Sequence, residues 1–191
     1  WQVHAALGDH AAAIADLVDC GAQCAVCGAD QQRVQVLTQA VELMYQTGRQ
    51  AEAEPVWAAL AEACARPVPA ATLLAVARTE SSLHPWALSV NRPRALARSA
   101  GIEGLAQLAR QPRSQAEAIR WAKQLVGRGI PVSLGLLQVS SEHLTRFGVT
   151  IEAAFEPCTN VKLGALVLSY HYREARETRG VTNVPLADAL S

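Results

Sequence analysis

The sequence predicts an all-α protein. Half of its 191 residues are apolar, which indicates a folded chain with a real core, and only 5% are aromatic. Apolar residues recur at helical spacing in several segments, whereas no segment alternates apolar with polar residues for long enough to predict a sheet. A chain of this length forms one moderate domain, or a smaller domain with an appendage.

A pair of helices is predicted in the first third of the chain. Four apolar residues fall on one face of the first helix: Val34, Leu37, Val41 and Met44. Gly48 interrupts the pattern, and a second helix is predicted from about 51 to 63. Two prolines follow almost at once and mark a boundary. We therefore predict a helical appendage at residues 1–65 and a second unit at 66–191.

Charge is unevenly distributed along a chain that is neutral overall. Residues 1–65 carry eight acidic and two basic side chains, whereas residues 92–128 carry eight basic and two acidic ones. The two segments can attract each other, the basic one can face an anionic partner, or both can be solvated faces. The basic segment lacks the interleaved aromatic residues of a nucleic-acid platform, so no nucleic-acid partner is predicted.

No membrane-spanning segment is predicted. The longest apolar runs fall short of the roughly 18 to 20 residues that a spanning helix requires. The chain begins at Trp1 without the basic stretch and apolar core of a signal peptide, which indicates a processed or trimmed form.

Glu80 ends the next predicted helix, which begins at Pro69. Proline suits a first helical turn because its φ is preset and its missing N–H is not needed there. Pro85 disfavours a helical His84 and ends the helix. Glu80 therefore lies in the last turn, where unpaired carbonyl groups and burial among apolar neighbours would favour the neutral acid over the carboxylate. A protonated carboxyl group is what a general acid for glycosidic cleavage requires; the alternative is a solvated glutamate at a helix end.

Gln138 is the one amide in the apolar stretch "SLGLLQVSS". A buried amide needs hydrogen-bond partners, which it finds on the hydroxyl or N-acetyl groups of a sugar or on a neighbouring loop. Both interpretations are open. A helix is predicted before this stretch, begun by a capping box of Ser114 and Glu117, and a last helix begins near Thr159.

Four segments of the sequence, taken in order, resemble the lytic transglycosylases of the lysozyme superfamily, and most closely the branch associated with type IV secretion and conjugation machines. The Glu-Ser and Asn-Pro pairs of the family correspond to residues 80–81 and 84–85, with His84 in place of the asparagine. A basic insertion, Gly-Leu-Met-Gln and Phe-Asp-Pro-Cys-x-Asn correspond to residues 111–118, 135–138 and 155–160. The resemblance covers about residues 64–191 and implies a lysozyme-like domain.

The resemblance implies cleavage of the β-1,4 bond between N-acetylmuramic acid and N-acetylglucosamine in peptidoglycan, with a 1,6-anhydro product. By position, Glu80 protonates the leaving oxygen and then deprotonates the 6-hydroxyl of the sugar, while the substrate's N-acetyl group assists and no cofactor or metal takes part. Residues 31–187 contain no aspartate, which agrees with a single-carboxylate scheme. The alternative of a hydrolytic muramidase would need a second glutamate: Glu103, Glu142 or Glu156. A non-catalytic glycan-binding assembly module is the other alternative.

Four further residues are expected at the substrate. The resemblance implies that Ser89 reaches Glu80 or the N-acetyl group, and that Gln138 and Ser140 line the cleft. Trp86 lies next to the predicted site, where it either stacks on a sugar ring or packs in the core.

Five cysteines indicate an oxidising compartment. The resemblance places Cys64 and Cys158 where the secretion branch pairs its cysteines, which implies a disulfide beside the site; free buried thiols are the alternative. The other three lie in a C-x3-C-x2-C cluster at Cys20, Cys24 and Cys27. One disulfide with a spare thiol is predicted there in preference to a zinc site, because three ligands at this spacing are a weak signal.

The resemblance further implies a periplasmic enzyme that opens the cell wall locally for a secretion, conjugation or pilus apparatus. Its expected partners are the glycan strands of peptidoglycan and, through residues 1–65 or 92–128, components of the machine. The family continues through Ala-Leu-Ser into a Tyr-Asn-x-Gly motif whose tyrosine helps to set the catalytic glutamate. This sequence stops at that Ala-Leu-Ser, so the second unit is predicted to lack the motif, either by trimming or with impaired activity.

Overall fold

A computed structural model describes the protein over five ranges: 2–6, 8–26, 30–64, 68–90 and 110–179. Helices dominate these ranges, so the predicted fold class is confirmed. The upstream helices are α1 (Gln2–Ala6), α2 (His10–Val26), α3 (Asp30–Gln46) and α4 (Glu54–Cys64), with a 3-10 turn at Gln50–Glu52. The downstream helices are α5 (Ala70–Ser81), α6 (Gln115–Val126), α7 (Ser141–Phe147), α8 (Ile151–Ala154) and α9 (Pro157–Arg179).

Helices α3 and α4 are the pair predicted upstream of the prolines. They bury their apolar faces against a core that continues into α5, the sheet and α9. This core contains residues from both sides of the predicted boundary, among them Leu37, Val41, Met44, Trp57, Leu60, Leu73, Leu134 and Val161. The division between 65 and 66 stays a prediction, and apolar side chains from both sides of it form one cluster.

A small antiparallel sheet stands beside the end of α5, although the sequence predicts no sheet. Its strands are β1 (Leu88–Val90), β2 (Val132–Leu134) and β3 (Val139–Ser140), in the order β1-β2-β3. The expectation was wrong because the strands are only two or three residues long and β2 is buried at every position, so they carry no alternating pattern. The register pairs Ser89 with Ser133 and Ser133 with Ser140, which brings two predicted site residues onto one sheet.

Two consecutive non-glycine residues after α5 adopt the left-handed conformation. Ser82 has φ 53° and Leu83 has φ 63°. Their backbone N–H groups donate to the carbonyl groups of Arg78 and Ala77, at 3.2 Å in each case, and close the helix end. A left-handed leucine is uncommon and costs free energy, so the surrounding structure must hold this turn in place. The turn begins two residues after Glu80.

Cys64 and Cys158 form the disulfide that the resemblance implies. It joins the last residue of α4 to the first turn of α9, with the two Cα atoms 5.5 Å apart. The predicted disulfide of the other cluster stays a prediction, because Cys27 lies outside the described residues. Within the described ranges, no three His, Cys, Asp or Glu side chains are grouped as a metal site.

Two further expectations concern residues outside the described ranges. Residues 92–109, half of the basic segment, are among them, as are residues 180–191, where the predicted loss of the C-terminal motif falls. In the described part of the basic segment, Arg110 pairs with Glu117, and Lys123 pairs with a glutamate of α8. No helix in the described ranges is long and apolar enough to cross a membrane.

Asn160 is a buried polar residue that joins three elements to α9. Its side chain is 1% exposed. The Oδ1 atom accepts a hydrogen bond from the Leu137 N–H at 2.8 Å, and Nδ2 donates to the carbonyl groups of Leu134 at 3.0 Å and Ala154 at 2.8 Å. These bonds satisfy buried backbone groups of β2, of the turn after it and of α8.

Asn160→Leu is expected to lower the free energy of unfolding by about 3 kcal/mol or more, because one backbone donor and two acceptors would remain buried without a partner. Urea denaturation measures the change. Lys162→Leu, on the exposed side of the same helix, is the matched control and should shift stability by no more than about 0.5 kcal/mol. Equal effects of the two substitutions would show that the amide network is not what holds these elements together.

Candidate active site

Two adjoining cavities share Glu80 and Gln138 and together form a cleft. The polar arm, of about 430 Å³, is also lined by Tyr45, Gln50 and Ser89 among other residues. The apolar arm, of about 230 Å³, is lined mainly by side chains of α5 and α9, with additions from the sheet and α7. Its members include Leu73, Val76, Val167, Leu168, His143 and His171. Two of the predicted site residues thus lie where the arms meet.

Glu80 occupies the last turn of α5, as predicted, but its side chain is exposed. The expectation of burial is wrong. Leu73 is buried and Val76 is half-buried, and both line the apolar arm beside Glu80, so the predicted neighbours are correct. The apolar stripe of the helix runs out of the core at its end and into the open cleft, which leaves the carboxylate facing solvent and any ligand bound there.

Gln138 has the hydrogen bonds of a loop amide and also lines the cleft. Its Oε1 accepts from the Ser89 hydroxyl at 2.7 Å, and its Nε2 donates to the carbonyl groups of Gly135 at 2.8 Å and Ala87 at 3.2 Å. The interpretation as a loop amide is therefore confirmed, and a hydrogen bond to a sugar stays a prediction. The two N–H groups are used within the protein, and Oε1 keeps a second lone pair for a ligand.

The turn at residues 135–138 is anchored to the helix that carries Glu80. The Ser81 hydroxyl donates to the Leu136 carbonyl group at 2.7 Å. Gly135 has φ +74°, and a Cβ atom there would lie 2.4 Å from Asn160 Nδ2, so only glycine allows this approach. The sequence segment that resembles Gly-Leu-Met-Gln is thus a tight turn held between α5 and α9.

The two predicted serines lie in different arms. Ser89 lines the polar arm with Glu80, and its hydroxyl donates to Gln138. Ser140 lines the apolar arm and caps α7, where its Oγ accepts from the Glu142 N–H at 3.3 Å. The expected positions at the cleft are therefore found for both, and contact with a substrate stays a prediction.

Trp86 is not available to a sugar ring. Its side chain is 3% exposed and packs edge-on against the rings of Tyr45 and His84, with centroids 5.7 and 5.9 Å away. The predicted substrate contact is wrong, because the turn after α5 points the indole into the core. The alternative of a core aromatic residue is correct.

His84 performs the turn-forming role expected of an asparagine. Its Nδ1 accepts from the Trp86 backbone N–H at 3.2 Å, a contact two residues ahead that an asparagine side chain also makes. The ring is half-buried and lines the polar arm. Burial lowers the pKa of His84 below its ordinary value, since the charged imidazolium is disfavoured away from water.

His84→Asn is expected to keep the turn and to reduce the loss of stability in acid. Because the folded pKa of His84 is depressed, the unfolded chain takes up the proton first, so its contribution is complete above about pH 6.5 and is lost as the pH falls toward the folded pKa. Thermal unfolding between about pH 8 and pH 5 measures the slope. His10→Asn, at an exposed position, should leave the slope unchanged; an unchanged slope in His84→Asn would assign the acid sensitivity to other groups.

Gln111, Tyr45 and Gln50 also line the polar arm, and none of them was predicted as a site residue. Gln111 holds the edge of β1, since its Oε1 accepts from the Leu88 N–H at 2.8 Å and its Nε2 donates to the Leu88 carbonyl group at 3.3 Å. The sequence signal that could have identified Gln111 was its position inside the basic insertion that resembles the family. Tyr45 and Gln50 come from the upstream helical segment, and no local pattern marks them.

A helical domain with a short antiparallel sheet beside a cleft, and with a glutamate at the end of a helix in that cleft, defines a lysozyme-like protein. Residues 58–186 match the family model of the Transglycosylase SLT domain. Since this match covers more than half of the chain, the chain belongs to that family, and the resemblance stated from the sequence is confirmed.

The chain is also similar to proteins named type IV secretion system protein virB1 from Brucella abortus biovar 1 (strain 9-941), Brucella melitensis biotype 1 and Brucella suis biovar 1. Identity is 37% over 116 residues in each case. The alignment covers 61% of this chain and 43% of the relatives, so the chain matches less than half of their length. No solved structure matches it.

Proposed function

We propose that the protein is a peptidoglycan lytic transglycosylase, which cleaves the β-1,4 bond between N-acetylmuramic acid and N-acetylglucosamine and leaves a 1,6-anhydro end. One observation carries the proposal: among the described residues that line the cleft, Glu80 is the only carboxylate. Most glycosidases that use water place two carboxyl groups about 5 to 9.5 Å apart across the bond. A single carboxylate among the described lining residues instead favours a reaction in which the substrate supplies the nucleophile.

The candidate second carboxylates give little support to a hydrolytic muramidase. Glu142 and Glu156 are exposed and line neither arm. Glu156 accepts a hydrogen bond from the Gln115 amide at 2.8 Å. Glu103 lies outside the described residues.

The proposed reaction uses Glu80 twice. As the neutral acid it donates its proton to the leaving glycosidic oxygen while the bond from that oxygen to the anomeric carbon breaks, with the N-acetyl carbonyl oxygen assisting. As the carboxylate it then accepts the proton of the 6-hydroxyl, whose oxygen bonds to the anomeric carbon. The glutamate returns to its neutral form, and no water is consumed.

Both arms suit a glycan strand. The polar arm offers hydroxyl and amide groups to the hydroxyl and N-acetyl groups of a sugar, among them Ser89 and the free lone pair of Gln138. The apolar arm offers the half-buried Val76 and Val167 to the carbon faces of the rings, with Ser140 at its polar edge.

The relatives named for type IV secretion support a cellular role. We propose that this protein opens the wall locally in the periplasm for a secretion, conjugation or pilus apparatus. The disulfide between Cys64 and Cys158 agrees with an oxidising compartment. Machine components would bind through the acidic residues 1–65 or the basic residues 92–128, which carry net charges of opposite sign.

Digestion of purified sacculi tests the proposal, with the released muropeptides identified by mass spectrometry. Anhydro ends are the expected result. Reducing ends, heavier by one water, would contradict the proposal and support a hydrolytic muramidase. Binding to sacculi without release of fragments would contradict it in favour of a glycan-binding assembly module.

A further inference from the structure

The segment from Tyr45 to Gln50 lies outside the family match at 58–186, yet two of its side chains line the cleft beside Glu80. We infer that this segment is a functional part of the active site. Tyr45 positions the turn next to Glu80, and Gln50 contacts the glycan. The inference rests on the proposed function and extends it to residues that the family match does not include.

Tyr45 contacts the strained turn directly. Its hydroxyl donates a hydrogen bond to the carbonyl group of Leu83, the residue with φ 63°. Its ring packs edge-on against His84 and Trp86, at centroid distances of 5.3 and 5.7 Å. One side chain from α3 thus contacts three groups of the turn: a carbonyl group, an imidazole and an indole.

The hydrogen bond from Tyr45 to Leu83 acts on Glu80 through the C-terminal end of α5. The Leu83 N–H donates to the Ala77 carbonyl group at 3.2 Å, which closes the last turn of α5 around Glu80. Without the Tyr45 hydroxyl, the Leu83 carbonyl group would lose its partner, and the left-handed turn would be freer to relax. Burial raises the pKa of Tyr45 to about 12, so the hydroxyl remains a donor at every working pH.

Gln50 stands in the 3-10 turn that follows α3, with an exposed side chain in the polar arm. The turn is fixed by its neighbours, since Arg49 donates to both carboxylate oxygens of Glu52, from Nε at 2.9 Å and from Nη2 at 2.8 Å. An amide held in this way can both donate to and accept from the hydroxyl and amide groups of a glycan strand.

Steady-state kinetics on soluble, uncrosslinked glycan strands test the inference in the full chain. Tyr45→Phe removes only the hydroxyl and should lower kcat about tenfold with KM unchanged, because it disturbs the position of Glu80 and not binding. Gln50→Ala should raise KM about fivefold with kcat unchanged, as expected for the loss of one hydrogen bond to bound substrate.

Three controls separate this role from general stability. Tyr172→Phe on α9 and Gln46→Ala on α3 repeat the two chemical changes away from the cleft, and Val41→Ala weakens the core of α3. All three should have the kcat and KM of the wild type at temperatures below the unfolding transition. The inference would be overturned if Tyr45→Phe and Gln50→Ala had the same kcat and KM as their controls, or if Val41→Ala were as slow as Tyr45→Phe. In either case, activity of the wild-type protein would still uphold the proposed function. A wild-type protein that releases no anhydro product would overturn the proposed function itself, and with it the roles inferred for Tyr45 and Gln50.

Discussion

Glu80→Gln is expected to lower the rate of anhydro-product release by about a thousandfold, since an amide can neither donate nor accept the proton that both steps need. The side chain is exposed and the substitution keeps its shape, so the fold should not change. Initial rates on sacculi measure the loss. Thermal unfolding and sedimentation with sacculi should show an intact protein that still binds.

Glu142→Gln is the matched control for this substitution. Glu142 is also exposed, lies in the first turn of α7 and lines neither arm of the cleft, so its loss should leave the rate within about twofold of the wild type. A Glu80→Gln protein that keeps more than roughly a tenth of the wild-type rate would show that another group supplies the proton.

The double substitution Cys64→Ser and Cys158→Ser is expected to lower the free energy of unfolding by roughly 4 to 5 kcal/mol, because the bond closes a loop with a sequence separation of 94. That loop contains α5, the sheet and α6, and so it carries both Glu80 and Gln138. Urea denaturation of the oxidised wild type and the double variant gives the difference.

Cys20→Ser is the control, since Cys20 is an exposed free thiol on α2. It should change stability by no more than about 0.5 kcal/mol. A loss below about 1 kcal/mol in the double variant would mean that packing alone holds α4 against α9, and that the bond adds little constraint to the unfolded chain.

Features that depend on neighbours along one helix were predictable from the sequence. Proline at 69 and at 85 bracketed α5, which runs from 70 to 81 with Pro69 as its N-cap. The capping box was equally local: the Ser114 side chain accepts from the Glu117 N–H at 3.2 Å. Ionic contacts strengthen that helix start, since bonds from Arg110 lower the pKa of Glu117 to about 2.

Features that depend on distant segments were not predictable in the same way. Whether Trp86 faces a ligand or the core is decided by Tyr45, which packs against it from a helix about forty residues earlier. The exposure of Glu80 depends on how the cleft opens at the end of α5, which the apolar stripe of that helix does not specify. The sheet escaped prediction because its strands are too short and too buried to show a period.

We propose that the substrate's own hydroxyl, and not water, attacks the anomeric carbon in a cleft where Glu80 is the only carboxylate among the described lining residues. Digestion of glycan strands in heavy-oxygen water, followed by mass spectrometry of the new ends, tests it most directly. We predict anhydro ends without heavy oxygen. Heavy oxygen incorporated at the anomeric carbon during cleavage, with each new end heavier by one water, would contradict the account.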